Sequence, residues 1–308
     1  MAKALVLKEG EVDTSGIVSI NRQSFSDKLH SYLKKPFSFA LFLLIMLATL
    51  ITAAIVVWIL VYVLIQGLPN LKPELFAWRW SFDNMSMMPA LINTLVISAV
   101  SLAIAGVIGV FAAIFMVEYA KSTNIFVKIV RVAAETLSGI PSIVFGIFGM
   151  ILFADFFGWG ATLLGGSLTM AMMIMPLIMR TTEEALLAVP DSFREGSYAL
   201  GAGKLRTIFV IILPSAVPGI ISGIILGLGR VVGETMALVF TAGSAFNLRY
   251  PSGIMSQGCT LTVYMYTLIN EGNEYAGVAW AVALVLIILT VLINAAAEFI
   301  GNKLKKEY

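Results

Sequence analysis

The chain has 308 residues, of which 59% are hydrophobic and only 12% charged, and its formal net charge is +2. So few polar groups cannot cover a surface in water, so the bilayer must be the solvent, and the near-neutral charge argues against a nucleic-acid partner. One cysteine and one histidine exclude an internal disulfide and a zinc site, and no cofactor is expected.

Six runs are long and apolar enough to form membrane-spanning helices, which need roughly 20 residues each. They lie at 37–65, 89–117, 132–153, 161–179, 208–240 and 276–298. The predicted fold is therefore an all-α polytopic membrane protein with six transmembrane helices. Its parts are a tail at 1–36, a first helix at 37–66, a loop at 67–88, a core at 89–300 with a polar loop at 181–207, and a tail at 301–308.

The lysine and arginine residues of the loops are unevenly divided between the two sides of the membrane. Fourteen lie on the side of both termini: Arg22, Lys28, Lys34, Lys35, Lys121, Lys128, Arg131, Arg180, Arg194, Lys204, Arg206, Lys303, Lys305 and Lys306. Three lie opposite: Lys72, Arg79 and Arg249. Since cytoplasmic loops carry the positive excess, both termini and the 181–207 loop are predicted to be cytoplasmic in the cell membrane. Trp78, Trp80, Trp159 and Tyr275 then fall at the opposite interface.

The third run contains a proline and two opposite charges. Arg131 and Glu135 are four residues apart, so on one helix they can pair. Pro141 removes a helix hydrogen bond and is expected to kink the helix. Glu135 and Pro141 are therefore a candidate gate, and a static bend is the alternative.

The 181–207 loop is predicted to contain a short exposed helix over 193–200. Ser192 and Glu195 have the spacing of a capping box, and Gly201 and Gly203 follow where a helix would end. So short a helix needs a surface to lie on, although a solvated connector is the alternative. Gly203-Lys204 does not belong to a P-loop, because Tyr198 and Leu205 occupy the positions where that motif needs glycine and serine or threonine.

The fifth run combines a stripe of glycines with two charges. Gly219, Gly223 and Gly227 recur every four residues, which favours close packing against another helix, unless they reflect the ordinary glycine content of membrane helices. Arg230 and Glu234 follow at i,i+4 spacing. Charges inside a membrane usually pair or line a path, so the two residues form either a structural pair or, with Thr235 beside them, part of a translocation path.

Several of these segments together resemble one family, the permease subunits of the phosphate ABC importer. The segments are IPSIVFGIFG at 140–149, RTTEEALLAVP at 180–190, EGSYALGAGKLRTIFVIILP at 195–214 and GRVVGETMALVFTAG at 229–243. The third resembles the EAA loop of importer permeases, with Gly196 and Ser197 in place of the usual alanines. RTTEEAL and LVFTAG resemble the A-type of the two paralogous permeases, which is the assignment we expect, whereas GLGR and GETMAL resemble the C-type.

This resemblance, which covers roughly residues 90–300, implies a type I ABC importer permease without enzymatic activity of its own. The expected partners are the paralogous permease in a heterodimer, two ATP-binding subunits and an extracytoplasmic phosphate-binding protein. The residues expected to couple to the ATPase are Arg194, Glu195, Ala199, Gly201, Leu213 and Pro214. Permeases for molybdate, sulfate or phosphonate, and an ATP-independent channel or secondary transporter, are the alternatives.

Overall fold

The computed structural model describes residues 36–120, 124–244 and 250–304, and in these ranges the regular structure is entirely helical. The helices are α1 (Pro36–Gly67), α2 (Met88–Ile114), α3 (Ile125–Ser138), α4 (Ser142–Gly149), α5 (Leu163–Leu187), α6 (Asp191–Ala199), α7 (Lys204–Thr207), α8 (Leu213–Gly233), α9 (Met236–Thr241), α10 (Leu261–Glu271) and α11 (Ala276–Leu304). Wider π-helical turns prolong α2 to Tyr119 and α4 to Phe156, and a third, Ile208–Ile212, joins α7 to α8.

Some predicted features lie outside the described residues. They are most of the N-terminal tail, residues 305–308, and the basic residues Arg22, Lys28, Lys34, Lys35, Lys121, Arg249, Lys305 and Lys306.

The all-α polytopic fold is confirmed. Within the described ranges, five helices are long and apolar enough to cross a membrane, and a sixth span is present if α3 and α4 count as one. The most apolar stretch of α1 has no buried residue, as expected for a helix surrounded by lipid or by another subunit.

The kink predicted at Pro141 is confirmed and is a full break, because α3 and α4 are bent by 103° at the residues between them. Pro141 has no N–H to donate, and a residue before proline is disfavoured in helical geometry, so the helix stops after Ser138. Pro141 then precedes the first turn of α4 in an extended conformation (φ −57°, ψ 140°).

The fifth predicted helix is also interrupted. It ends at Gly233, the chain is extended at Glu234 (φ −76°, ψ 133°), and α9 begins at Met236. We call residues 233–236 the α8–α9 break.

The chain divides into two compact units, residues 1–62 and 63–308. In the second unit α5 is the central helix: two thirds of its most apolar stretch is buried, and it packs on α2, α8, α4, α9 and α3. Its apolar residues Met170, Met173, Ile174 and Ile178 form the middle of the main core. A second core surrounds Leu186, Val189, Ile208 and Ile212 beside the 181–207 loop.

The glycine stripe of α8 packs against α5, which confirms close helix packing. Gly219 lies against Ala185, Gly223 against Thr181 and Gly227 against Ile178. Because the residues at these contacts on α8 have no side chain, α5 can lie directly against the α8 backbone, where larger residues would hold the two helices apart.

We predict that Gly223→Ala destabilises the protein. Its new Cβ would lie 2.8 Å from the Cβ of Thr181, which cannot rotate away, and such overpacking costs about 1–3 kcal/mol. Gly229→Ala in the same helix meets no atom within 4 Å and should gain up to about 1 kcal/mol from its higher helix propensity. Thermal unfolding in detergent should therefore shift down for the first variant and not for the second. Equal shifts would contradict the packing role of Gly223.

Candidate coupling segment and membrane-embedded polar site

The predicted short helix of the polar loop is present as α6, but it starts differently. It begins at Asp191, after Pro190, and no side chain caps its first turn, so the predicted capping box of Ser192 and Glu195 is wrong. Pro190 occupies the N-cap position, and its side chain has no oxygen that could accept from the N–H groups of the first turn. Gly201 has φ +81°, the left-handed conformation that ends a helix, whereas Gly203 has φ −74° and precedes α7.

The outer face of α6 and α7, which we call the coupling surface, exposes apolar side chains at a position between membrane spans. They are Phe193, Tyr198, Leu200 and Leu205, and Leu200 is 91% exposed. Ala199 and Glu195 are exposed beside them, and the Glu195 carboxylate has no hydrogen bond or ion pair within the described residues. Phe193, Tyr198 and Leu200 precede the candidate span that begins at Lys204, and exposed apolar groups in such a polar segment are typical of a surface that another protein covers.

Arg194 does not belong to this surface, because its guanidinium points inward. It donates from Nη2 to Glu118 Oε1 (2.8 Å) and to the Leu186 carbonyl (3.0 Å), and from Nη1 to the Val189 carbonyl (2.9 Å). A further bond runs from Nη1 to Asp191 at 3.1 Å. We call residues 191–207, which contain α6 and α7, the coupling segment, and Arg194 anchors it to the rest of the protein.

Leu213 and Pro214 also lie away from the coupling surface. Both are half-buried in the first turn of α8, directly after the Ile208–Ile212 π-helical turn. Pro214 cannot donate to the carbonyl four residues earlier, which favours a local departure from α-helical geometry. These two residues shape the junction between α7 and the membrane helix.

Of the two alternatives for Arg230 and Glu234, the structural pair is not found: no ion pair joins them among the described residues. The prediction assumed one continuous helix, but α8 ends between the two residues. Glu234 Oε1 instead accepts from the Ala237 N–H at 3.2 Å and caps the start of α9. Thr235 is half-buried, and its carbonyl accepts from the N–H groups of Leu238 and Val239.

Arg230 is half-buried in the last turn of α8, and its side chain makes no hydrogen bond or ion pair within the described part of the chain. The helix dipole favours a cation at this C-terminal end. That contribution is small compared with an ion pair, so the guanidinium can bind an anion or a group of another subunit.

A set of polar side chains that the sequence interpretation missed bonds the α8–α9 break and the start of α10. Thr262 Oγ1 donates to the Glu234 carbonyl at 2.6 Å and lies 3.2 Å from Thr260 Oγ1. From α2, Thr94 Oγ1 accepts the Leu261 N–H at 2.9 Å and Asn93 Nδ2 donates to the Cys259 carbonyl at 3.1 Å. The sequence feature that could have indicated them is a group of hydroxyl and amide residues inside or next to apolar runs.

The predicted Arg131–Glu135 pair is also replaced, here by pairs between helices. Arg131 Nε donates to Glu183 Oε1 on α5 at 2.7 Å. Arg180 of α5 lies 3.4 Å from Glu135 and 3.2 Å from Glu184. These residues surround a cavity of about 280 Å³. The two Arg180 pairs are solvent-exposed and contribute little stability, so Arg131–Glu183 is the main ion pair between α3 and α5.

Comparison with known proteins identifies the family to which the chain belongs. Residues 105–306 match the profile of binding-protein-dependent transport system inner membrane components. The chain is 33% identical over 276 residues to the probable ABC transporter permease YqgI of Bacillus subtilis (strain 168), covering 85% of this chain and 94% of that one. It is 34% identical over 270 residues to the phosphate transport system permease PstA of Mycobacterium leprae (strain TN), covering 82% and 86%.

Solved structures agree with the fold. A chain of the inward-facing MetNI methionine ABC transporter superposes with a TM-score of 0.60 at 23% identity, covering 74% of this chain and all of that one. A bacterial alginate ABC transporter gives 0.59 at 16%, covering 85% and 96%. The chain is thus a multi-pass inner-membrane permease of the type I ABC importer class. It belongs to the family of binding-protein-dependent transport system inner membrane components.

We predict that Arg230 and Glu234 contribute independently to stability. In a double-mutant cycle of Arg230→Gln and Glu234→Gln, the coupling free energy should stay within about 0.5 kcal/mol, because the two side chains share no partner. The glutamine at 234 can still accept from Ala237. Denaturant unfolding in detergent measures the free energies of the cycle. A coupling free energy well above that limit would show that the two side chains form an ion pair.

Proposed function

We propose that the chain is one permease half of an ATP-driven importer of inorganic phosphate. The observation that carries the proposal is Arg230, a guanidinium inside a membrane helix, beside the α8–α9 break, without a partner in the described chain. A planar fork of donors suits the oxygens of an oxyanion. The phosphate permeases among the relatives support the choice of phosphate and of the A-type subunit.

In the proposed assembly a paralogous permease completes the membrane path and two ATP-binding subunits lie on the cytoplasmic side. An extracytoplasmic phosphate-binding protein delivers the anion. ATP binding closes the two ATPases, the coupling surface moves with them, and the permeases open outward to accept phosphate. Hydrolysis then lets the path open inward. This chain supplies the path and the docking surface, and the ATP chemistry takes place in another subunit.

Within the path we assign the contact with phosphate to Arg230. Glu234 and Thr235 stabilise the break that brings the end of α8 to the path. The Glu234 carboxylate and the Thr235 carbonyl accept hydrogen bonds from N–H groups of α9. Glu135 and Pro141 remain a candidate gate, since Pro141 marks the 103° bend and Glu135 faces Arg180 across the α3–α5 cavity.

Two alternatives to an ATP-driven phosphate importer can be compared with the observations. A permease for molybdate, sulfate or phosphonate would use the same guanidinium, and the solved neighbours are methionine and alginate transporters. The choice of phosphate therefore rests on Arg230 together with the phosphate permeases among the relatives. An ATP-independent channel has no use for the exposed Phe193, Leu200 and Leu205 of the coupling surface, which favours the ATP-driven machine.

The cargo is tested with the complete importer in proteoliposomes. We predict ATP-dependent phosphate uptake that Arg230→Gln lowers at least about tenfold, as expected from losing a charge-assisted hydrogen bond, while abundance is kept. Arg230→Lys should be intermediate, since it keeps the charge and loses the fork. The control Lys128→Gln removes an exposed cation of α3 and should transport normally. Uptake of molybdate or sulfate without phosphate, or full uptake by Arg230→Gln, would contradict the proposal.

We further propose that both termini and the coupling surface are cytoplasmic, which the fourteen-to-three distribution of basic residues supports. In a Cys259→Ala background, Leu200→Cys should react with a membrane-impermeant maleimide in inverted vesicles and be protected once the ATPase is bound. Lys72→Cys, on the opposite loop, should react in intact cells and be indifferent to the ATPase. Labelling of position 200 in intact cells would overturn the orientation, and labelling unchanged by the ATPase would overturn the docking surface.

A further inference from the structure

The end of α2 is held by the coupling segment at two separate points. Arg194, in α6, contacts Glu118 through two nitrogens, Nη2 at 2.8 Å and Nε at 3.1 Å. Lys204, at the start of α7, places its Nζ 4.7 Å from the ring centroid of Tyr119. Glu118 and Tyr119 are adjacent in the π-helical turn that ends α2. α6 and α7 therefore both contact the same end of α2, at neighbouring residues.

The Arg194–Glu118 pair is buried and fully bonded. The side chains are 15% and 5% exposed, and every guanidinium nitrogen of Arg194 has a partner. A buried charge pair with its remaining hydrogen bonds satisfied is costly to break from one side, so it is a rigid contact. Arg194 consequently has no donor left for a docking ATPase.

The coupling segment is also rigid within itself. Ser197 of α6 and Thr207 of α7 are both buried, and their hydroxyl oxygens lie 2.8 Å apart. The Ala202 N–H donates to the Ser197 carbonyl across the turn at Gly201. A push on the exposed Leu200 therefore moves α6 and α7 together and reaches both contacts with α2.

We propose that Arg194 is a positioning residue, and that its bond to Glu118 transmits movement of the coupling segment to α2. This rests on the proposed function, because an ATPase must supply the movement. α2 in turn packs along α5 and carries Asn93 and Thr94, which bond the main chain at Cys259 and Leu261. The next residue, Thr262, donates to the Glu234 carbonyl at the α8–α9 break. The bond thus provides a second route from the ATPase to the path, beside the covalent route through α7 and α8.

The test uses the assembled importer with its binding protein in proteoliposomes, and Glu118→Gln, Arg194→Gln and the double variant. Glu118 is buried beneath the coupling segment, so Glu118→Gln leaves the coupling surface unchanged and keeps the shape of the side chain. Three quantities are measured: ATPase co-purified per permease, binding-protein stimulation of ATP hydrolysis, and phosphate imported per ATP. Lys128→Gln again serves as the charge control.

We expect each single variant to keep its ATPase and lose about tenfold of the phosphate imported per ATP, within the range seen for residues that carry coupling. The double variant should be no worse than either single one, because both remove the same bond. Arg194→Lys, which keeps the charge, should recover part of the coupling.

Two results would overturn the inference. If Arg194→Gln loses the ATPase while Glu118→Gln transports normally, Arg194 is a docking residue. If both variants lose abundance while transport per remaining complex is unchanged, the pair only stabilises the fold. If the unaltered complex imports no phosphate, the cargo proposal fails by itself, and the link is then judged from the binding-protein stimulation of ATP hydrolysis.

Discussion

The structure depends on one constraint, that backbone N–H and C=O groups inside a bilayer must find partners within the protein. A continuous helix meets it without help. The α8–α9 break does not, and Glu234 and Thr262 supply the hydrogen bonds that the interrupted ladder lacks. Polar residues therefore gather where the helix is broken. Arg230 lies at this point but takes no part in the repair, which is why it is available to a ligand or another subunit.

The helices that follow the two interruptions are in contact. Gly146 of α4 lies against Met236 and Ala237 of α9, and a Cβ at Gly146 would be only 2.8 Å from the Ala237 Cα. α4, which follows the bend at Pro141, is thereby packed against α9, which follows the α8–α9 break. Because both also rest on α5, a change in the bend at Pro141 must be accommodated at the α8–α9 break.

Much of the fold could be predicted from the sequence, and the failures share a cause. Apolar run length predicted the spans, and the four-residue spacing of Gly219, Gly223 and Gly227 predicted a packing face. The i,i+4 rule failed at Arg230 because it assumes an unbroken helix. A carboxylate at a chain break has a nearer partner, the free N–H groups of the next helix, and Glu234 takes it.

Long-range partners left no local signal. Nothing near Arg194 in the sequence indicates Glu118, which is 76 residues away, so the EAA-type motif alone assigned Arg194 to the docking surface. Likewise, Arg131 pairs with Glu183 across helices and not with the nearby Glu135. Such pairings depend on how helices pack, which periodicity does not specify. Exposure of Leu200, by contrast, follows from its position before Gly201 at the end of α6.

The most direct measurement is a structure of the complete importer in lipid, determined by electron microscopy with phosphate bound. The account predicts phosphate within hydrogen-bond distance of the Arg230 guanidinium, at the interface with the other permease, and Arg194 still bonded to Glu118 beneath a docked α6. A guanidinium of Arg230 paired with a carboxylate of the other permease, with phosphate held elsewhere, would contradict it.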